Sequence, residues 1–92
     1  MISNERTILI VLFQQAIDSK IDLISFIEKS IFEFSNMKES ELKTSIIPFI
    51  DLITDYLKEY GENEILTIES LSKTTNIFEE INNTLLMLKA DN

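Results

Sequence analysis

The stretch from Ile8 to Phe34 most strongly limits what this chain can fold into. It opens with six successive apolar residues and continues with apolar residues three or four positions apart, the spacing of an amphipathic helix. A helix that is apolar around its whole circumference must be buried on all sides. The opening run therefore predicts either the centre of a helical bundle or an interface between subunits. The run comprises Ile8, Leu9, Ile10, Val11, Leu12 and Phe13.

The polar residues of this stretch favour one continuous helix. Six of the polar residues between 15 and 33 fall within one arc of about 80°, at about 100° per residue, and they keep their phase through Ser19. These six are Gln15, Asp18, Asp22, Ser25, Lys29 and Glu33. We therefore predict a first helix from about 4 to 35. The alternative is a break near Ser19, where Ser19 and Asp22 have the spacing of a helix cap; the chain would then have four helices. A strand over the apolar run is disfavoured because no second strand-like segment could pair with it.

The rest of the chain predicts two more long helices. A second helix is expected from 37 to 60, with Asn36 and Glu39 at the spacing of a capping box at its start. Pro48 falls inside this helix and should kink it, since proline removes one backbone hydrogen bond. A third helix is expected from 67 to 89. The predicted fold is a small all-α bundle of three long helices.

Length and composition agree with a single helical domain. The chain has 92 residues, 45% of them hydrophobic, which suffices for one domain, 1–92, with a modest core. One glycine and one proline provide little turn chemistry for a many-stranded sheet. There is no apolar run of the roughly 20 residues that cross a bilayer, and the N-terminal residues lack the pattern of a signal peptide. We therefore expect a cytoplasmic protein.

Charge and missing residue types exclude many functions. The net charge is -8, which argues against binding to nucleic acid phosphates or to an anionic membrane. The chain has no histidine and no cysteine, so histidine-dependent triads, thiol nucleophiles and zinc sites with nitrogen or sulfur ligands are excluded. A single glycine excludes glycine-rich phosphate loops. We expect a protein that is not an enzyme and has no cofactor, metal or catalytic residue.

One polar feature of the predicted second helix stands out. Four acidic residues, here called the acidic ridge, follow one another opposite its apolar stripe, although like charges at i,i+4 cost about 0.2–0.5 kcal/mol per pair. Two tyrosines flank the ridge; tyrosine supplies contact area and a hydroxyl, and acids steer association with a basic partner. Alternatively, the acids only face water and the tyrosines lie at the core edge. The ridge is Asp51, Asp55, Glu59 and Glu62, and the candidate partner-binding residues are these four with Tyr56 and Tyr60.

Two classes of function fit these observations. The first is a small non-catalytic protein that acts by occupying a partner's surface, as an immunity protein, an antitoxin, a phage-type inhibitor or an adaptor does. Its contact would be the acidic ridge, and its partner a basic protein. The second is a structural homo-oligomer such as a homodimer, in which the apolar run of the first helix is the interface and the acids only favour solubility.

Overall fold

A computed structural model of the protein describes residues 4–60 and 68–90, with the side chains from 4 to 59 and from 73 to 90. The described residues contain four α-helices and no strand, which confirms the all-α prediction. Position 67, predicted as the start of the last helix, lies outside the described residues. The helices are α1 (Asn4–Ile17), α2 (Leu23–Ser35), α3 (Ser40–Tyr60) and α4 (Ile68–Ala90).

The predicted continuous helix from 4 to 35 is wrong, and the alternative of a break near Ser19 is confirmed. α1 ends because Ser19 adopts a left-handed conformation, with φ at 58°. The N–H of Ser19 then donates to the Ala16 carbonyl at 3.2 Å. The N–H of Lys20 donates to the Gln15 carbonyl at 2.9 Å, which completes the pair of bonds of a Schellman cap. Glycine usually occupies the left-handed position, so a search for glycine or proline does not find this break.

The start of α2 is fixed by its own cap. Asp22 is the N-cap residue, and its carboxylate accepts from the Ser25 backbone N–H at 2.9 Å and from the Ser25 hydroxyl at 2.8 Å. These bonds favour the charged carboxylate and hold the pKa of Asp22 below its ordinary value. Asp22 is therefore the capping residue itself, and Ser19, predicted to cap this helix, instead ends the preceding one.

The start of α3 is held by a carboxylate from α1. Glu5 accepts hydrogen bonds from the backbone N–H groups of Lys38 at 2.9 Å and of Glu39 at 2.8 Å. Asn36 ends α2, and its side-chain amide donates to the Phe32 carbonyl at 2.9 Å. The predicted capping box of Asn36 and Glu39 is therefore wrong. The backbone N–H groups of Lys38 and Glu39, just before α3, donate instead to a side chain of α1. The spacing of residues within α3 gives no sign of such a contact between helices.

We expect Glu5→Gln to destabilise the bundle at neutral pH but not at acid pH. The two backbone N–H donors hold the pKa of Glu5 below its ordinary value of 4.5. A group with a lowered folded-state pKa stabilises the fold above its unfolded-state pKa, and this contribution is lost as pH falls through the folded-state pKa. The gap in melting temperature between wild type and variant should therefore be widest near neutral pH and narrow below about 4.5. Glu79→Gln, at an exposed glutamate of α4, is the control; the same pH-dependent loss in that variant would contradict the role of Glu5.

Three phenylalanines from three helices meet at the centre of the core. The ring centroid of Phe13 lies 5.1 Å from that of Phe26 and 5.1 Å from that of Phe49, and all three side chains are buried. Aliphatic side chains from all four helices surround them, including most of the apolar stripe predicted for the second helix. The fully buried aliphatic residues are Leu9, Ile27, Leu42, Ile46, Ile53, Ile77, Ile81 and Leu88.

Each helix packs chiefly against two neighbours, which gives a square arrangement. The packed pairs are α1 with α2, α2 with α3, α3 with α4, and α4 with α1. Neighbouring helices run antiparallel, as two hydrogen bonds show. Tyr56 near the end of α3 bonds Thr74 near the start of α4. Arg6 near the start of α1 donates to the Leu88 carbonyl near the end of α4. The edge formed by α1 and α2 and the edge formed by α3 and α4 therefore lie on opposite sides of the bundle.

The α3–α4 pair extends past the turn between α1 and α2. Beyond Phe49, which is level with Phe13, α3 continues for about 16 Å to Tyr60, whereas α1 continues for only about 6 Å to Ile17. Part of the acidic ridge therefore lies on a projecting end of the molecule. Pro48 lies inside α3 as predicted, without ending the helix, and the bend expected there stays a prediction.

Candidate functional site

The acidic ridge runs along α3, where Asp51 and Asp55 are exposed to solvent. They are one helical turn apart, and Glu59 follows one turn later on the same face. Among the described residues, neither Asp51 nor Asp55 forms an ion pair. Two negative charges of the ridge are therefore available to a partner. The side chain of Tyr60 and all of Glu62, predicted to extend the ridge, lie outside the part of the chain whose side chains are described.

The third acid and the tyrosine of the ridge contact α4. Glu59 forms an ion pair with Lys73 at 2.6 Å, and both side chains are about half exposed. Such an exposed pair contributes only about 0.2–1 kcal/mol. The Tyr56 hydroxyl lies 2.9 Å from the Thr74 hydroxyl oxygen, and the tyrosine ring is half-buried. Tyr56 therefore helps to join α3 to α4, in addition to any contact with a partner.

A small recess opens between α3 and α4 beside Asp55. Its volume is about 200 Å³, below the range of about 300–1,000 Å³ typical of small-molecule sites. The recess therefore suits one side chain of a partner protein better than a metabolite. It is lined by Leu52, Asp55, Tyr56, Glu59, Lys73, Asn76 and Ile77.

The apolar run of α1 divides into an inner and an outer face. Ile8 and Val11 lie on the outer face and are 46% and 52% exposed. The other four residues of the predicted oligomer interface point toward the chain's own core, which accounts for much of the hydrophobicity of the run. Leu9, Leu12 and Phe13 are buried there, and Ile10 is half-buried.

A second surface, here called the apolar groove, lies between α1 and α2. Its volume is about 640 Å³, with Ile8 and Val11 on one wall. The other wall carries Phe32, which is 64% exposed. Three large apolar side chains are therefore exposed side by side, and contiguous exposed apolar residues are a feature of interaction surfaces. The remaining lining residues are Thr7, Leu12, Gln15, Ser25, Glu28, Lys29 and Glu33.

Phe32 is the surface residue that the sequence analysis missed. On a helical projection it lies about 20° from Ser25, at the border of the polar arc. A phenylalanine beside a polar arc is a signal that could have identified the groove. Phe34 lies on the opposite, apolar side of the same projection, and it is half-buried.

Neither a cluster of possible metal ligands nor a membrane-spanning helix occurs within residues 4–60 and 68–90. No group of three or more acidic side chains there is placed to hold a metal ion, and none of the helices described is long and apolar enough to cross a bilayer.

No protein-family model, curated protein or solved structure matches the chain. The function must therefore be inferred from the acidic ridge and the apolar groove.

Proposed function

We propose that this protein is a small, acidic, non-catalytic protein-binding module that acts by occupying a partner's surface, with the acidic ridge as its contact. The supporting observation is that Asp51 and Asp55 are exposed and unpaired on one helix face, where their mutual repulsion is unfavourable. Proteins that act in this way include immunity proteins, antitoxins, phage-type inhibitors and adaptors. The partner is a protein with a basic surface.

The recess beside Asp55 suits a long basic side chain of the partner. The recess is partly lined by the apolar residues Leu52 and Ile77 and by the ring of Tyr56, and it opens next to the Asp55 carboxylate. Arginine and lysine bury an apolar stem while keeping the charged head near an acid or over an aromatic face. Arginine fits better than lysine, because its planar guanidinium binds a carboxylate through two hydrogen bonds.

The ion pair between Glu59 and Lys73 is a weak obstacle to binding. Because both side chains are about half exposed, opening the pair costs at most about 1 kcal/mol. Glu59 can then turn to a cation of the partner and extend the row of Asp51 and Asp55. The net charge of -8 steers a basic partner toward the module, so association should slow as salt is added.

We expect Asp55→Lys to weaken binding of the basic partner about 100-fold or more while leaving the fold intact. Asp55 is exposed, so its replacement costs the fold little, whereas a like charge placed against the partner's basic side chain costs several kcal/mol. The partner is first captured from extract of the native host at low salt. Its affinity for wild type and variant is then measured by titration calorimetry with the purified pair.

Glu41→Lys is the matched control for this measurement. Glu41 is an exposed acid at the start of the same helix, ten residues before Asp51, and either substitution replaces -1 by +1, changing the net charge from -8 to -6. The control should retain most of the affinity. An equal loss in both variants would show that total charge, and not the ridge, determines binding. No loss with Asp55→Lys would place the contact elsewhere.

A further inference from the structure

We infer that the apolar groove is a self-interface, through which two copies of the chain associate around a two-fold axis that relates their α2 helices. This inference is independent of the partner proposed for the acidic ridge. The residues that form the contact are Ile8, Val11 and Phe32, and the charged residues that also line the groove are Glu28, Lys29 and Glu33.

The shape of the surface is complementary to itself. Phe32 projects at 64% exposure from the wall of a groove that is open beside it. In a two-fold interface the same patch is used on both copies, so a projecting side chain must find a recess in that patch. Phe32 of each copy can enter the groove of the other and cover the exposed Ile8 and Val11 there.

The charges of α2 are also complementary to themselves. Lys29 and Glu33 are one turn apart and both line the groove. When two α2 helices lie antiparallel about the point midway between these positions, Lys29 of each copy faces Glu33 of the other. One two-fold operation therefore forms two ion pairs between the copies and buries both phenylalanines. Lys29 and Glu33 do not form an ion pair with each other within one chain.

The size of the contact predicts a dimer of moderate affinity. α1 and α2 have 14 and 13 residues, so each is about 20 Å long, and together they form a face about 20 Å wide. A stable interface buries about 800 Å² of accessible surface per partner, and a face about 20 Å by 20 Å has a projected area of about half that value. We therefore expect dissociation in the micromolar range.

The acidic ridge does not oppose this association. The acidic ridge lies on α3, on the opposite edge of a bundle 20–23 Å across. Charges separated by more than the Debye length of about 8 Å at physiological salt are largely screened. The dimer would expose one acidic ridge on each outer side and could bind two copies of a basic partner.

The test is sedimentation equilibrium of the full chain from about 1 µM to 1 mM, the range that brackets dissociation of a small interface. The average mass should rise from 10.7 kDa toward twice that value. Phe32→Ser should weaken the dimer at least tenfold. Leu86→Ser is the control, because Leu86 is 58% exposed on α4, away from the groove. A mass of 10.7 kDa at every concentration, or equal weakening by both substitutions, would overturn the self-interface.

A charge exchange tests the orientation of the two copies. Lys29→Glu and Glu33→Lys should each weaken the dimer several-fold, because each places like charges opposite one another. The double variant should recover the wild-type dissociation constant to within about twofold, since the pairs are then reversed in sign. Failure of the double variant to recover would overturn the antiparallel arrangement of the α2 helices. Asp55→Lys should leave the dimer unchanged, so this test and that of the acidic ridge have separate readouts.

Discussion

Leu9→Asp is expected to leave the chain unfolded at 25 °C. Leu9 is 1% exposed, so the substitution removes a buried leucine, worth about 1.5–3 kcal/mol, and places a carboxylate among buried apolar side chains. Burial of an unpaired charge costs several kcal/mol more. Together these losses approach the whole stability of a small domain, about 5–15 kcal/mol. Circular dichroism should show loss of most of the helical signal.

Val11→Asp is the matched control for this substitution. Val11 lies two residues away on the same helix but is 52% exposed on the wall of the apolar groove. The variant should therefore keep its helical signal and its melting transition, while the proposed self-association is lost. Similar unfolding by the two substitutions would mean that the run from Ile8 to Phe13 is buried on all sides, as its sequence alone predicts.

Phe13→Ala is expected to lower the free energy of unfolding by about 3–5 kcal/mol. The ring of Phe13 is fully buried and lies 5.1 Å from the rings of both Phe26 and Phe49, so it holds α1 against two other helices. Its removal leaves a cavity that the rigid neighbours fill only in part. For a chain of this size the melting temperature should fall by about 12 °C or more. Urea titration and thermal scans give both quantities.

Phe32→Ala separates burial from residue type. Like Phe13, Phe32 is a phenylalanine of the α1–α2 hairpin, but its side chain is 64% exposed. The free energy of unfolding measured on dilute, monomeric protein should change by less than about 0.5 kcal/mol, as is usual for surface substitutions. A loss comparable to that of Phe13→Ala would mean that Phe32 is buried within one chain and that the groove is closed.

The sequence predicted well those features that depend on local periodicity. The second helix was expected at 37–60 and the last at 67–89, and the structure has them at Ser40–Tyr60 and Ile68–Ala90. An apolar stripe with helical spacing is sufficient to predict where these helices lie in the sequence. The core-facing side of a helix must be apolar whichever helices it packs against. The exception is Phe78: its spacing of three residues from Ile81 predicts a place on the apolar face, but it is 38% exposed.

The features that the sequence left open or did not predict depend on contacts between distant parts of the chain. The break at Ser19 requires a left-handed serine, which becomes favourable because the resulting hairpin buries Phe13 against Phe26. The Glu5 carboxylate accepts its hydrogen bond at the start of α3 from a residue 34 positions away in the sequence. The fully buried Ser30, whose hydroxyl has no hydrogen-bond partner among the described residues, also follows from the position of α2 and from no local pattern.

The split of the apolar run follows from the same break. In a single helix from 4 to 35, Ile8 and Val11 would need burial from outside the chain. Once α2 folds back along α1, the inner face of the run lies in the core, and the outer face forms one wall of the apolar groove. The four-helix fold and the apolar groove therefore depend on the turn at residues 18–22.

The most direct test of this turn is a nuclear Overhauser measurement between the aromatic rings of Phe13 and Phe26 in selectively labelled protein. Their centroids are 5.1 Å apart, so strong cross-peaks between the two rings are expected, at a concentration low enough for a monomer. A continuous helix would hold the two residues about 20 Å apart, at 1.5 Å per residue. Absence of these cross-peaks, together with an unbroken series of helical amide contacts through Ser19, would contradict the four-helix fold and with it the apolar groove.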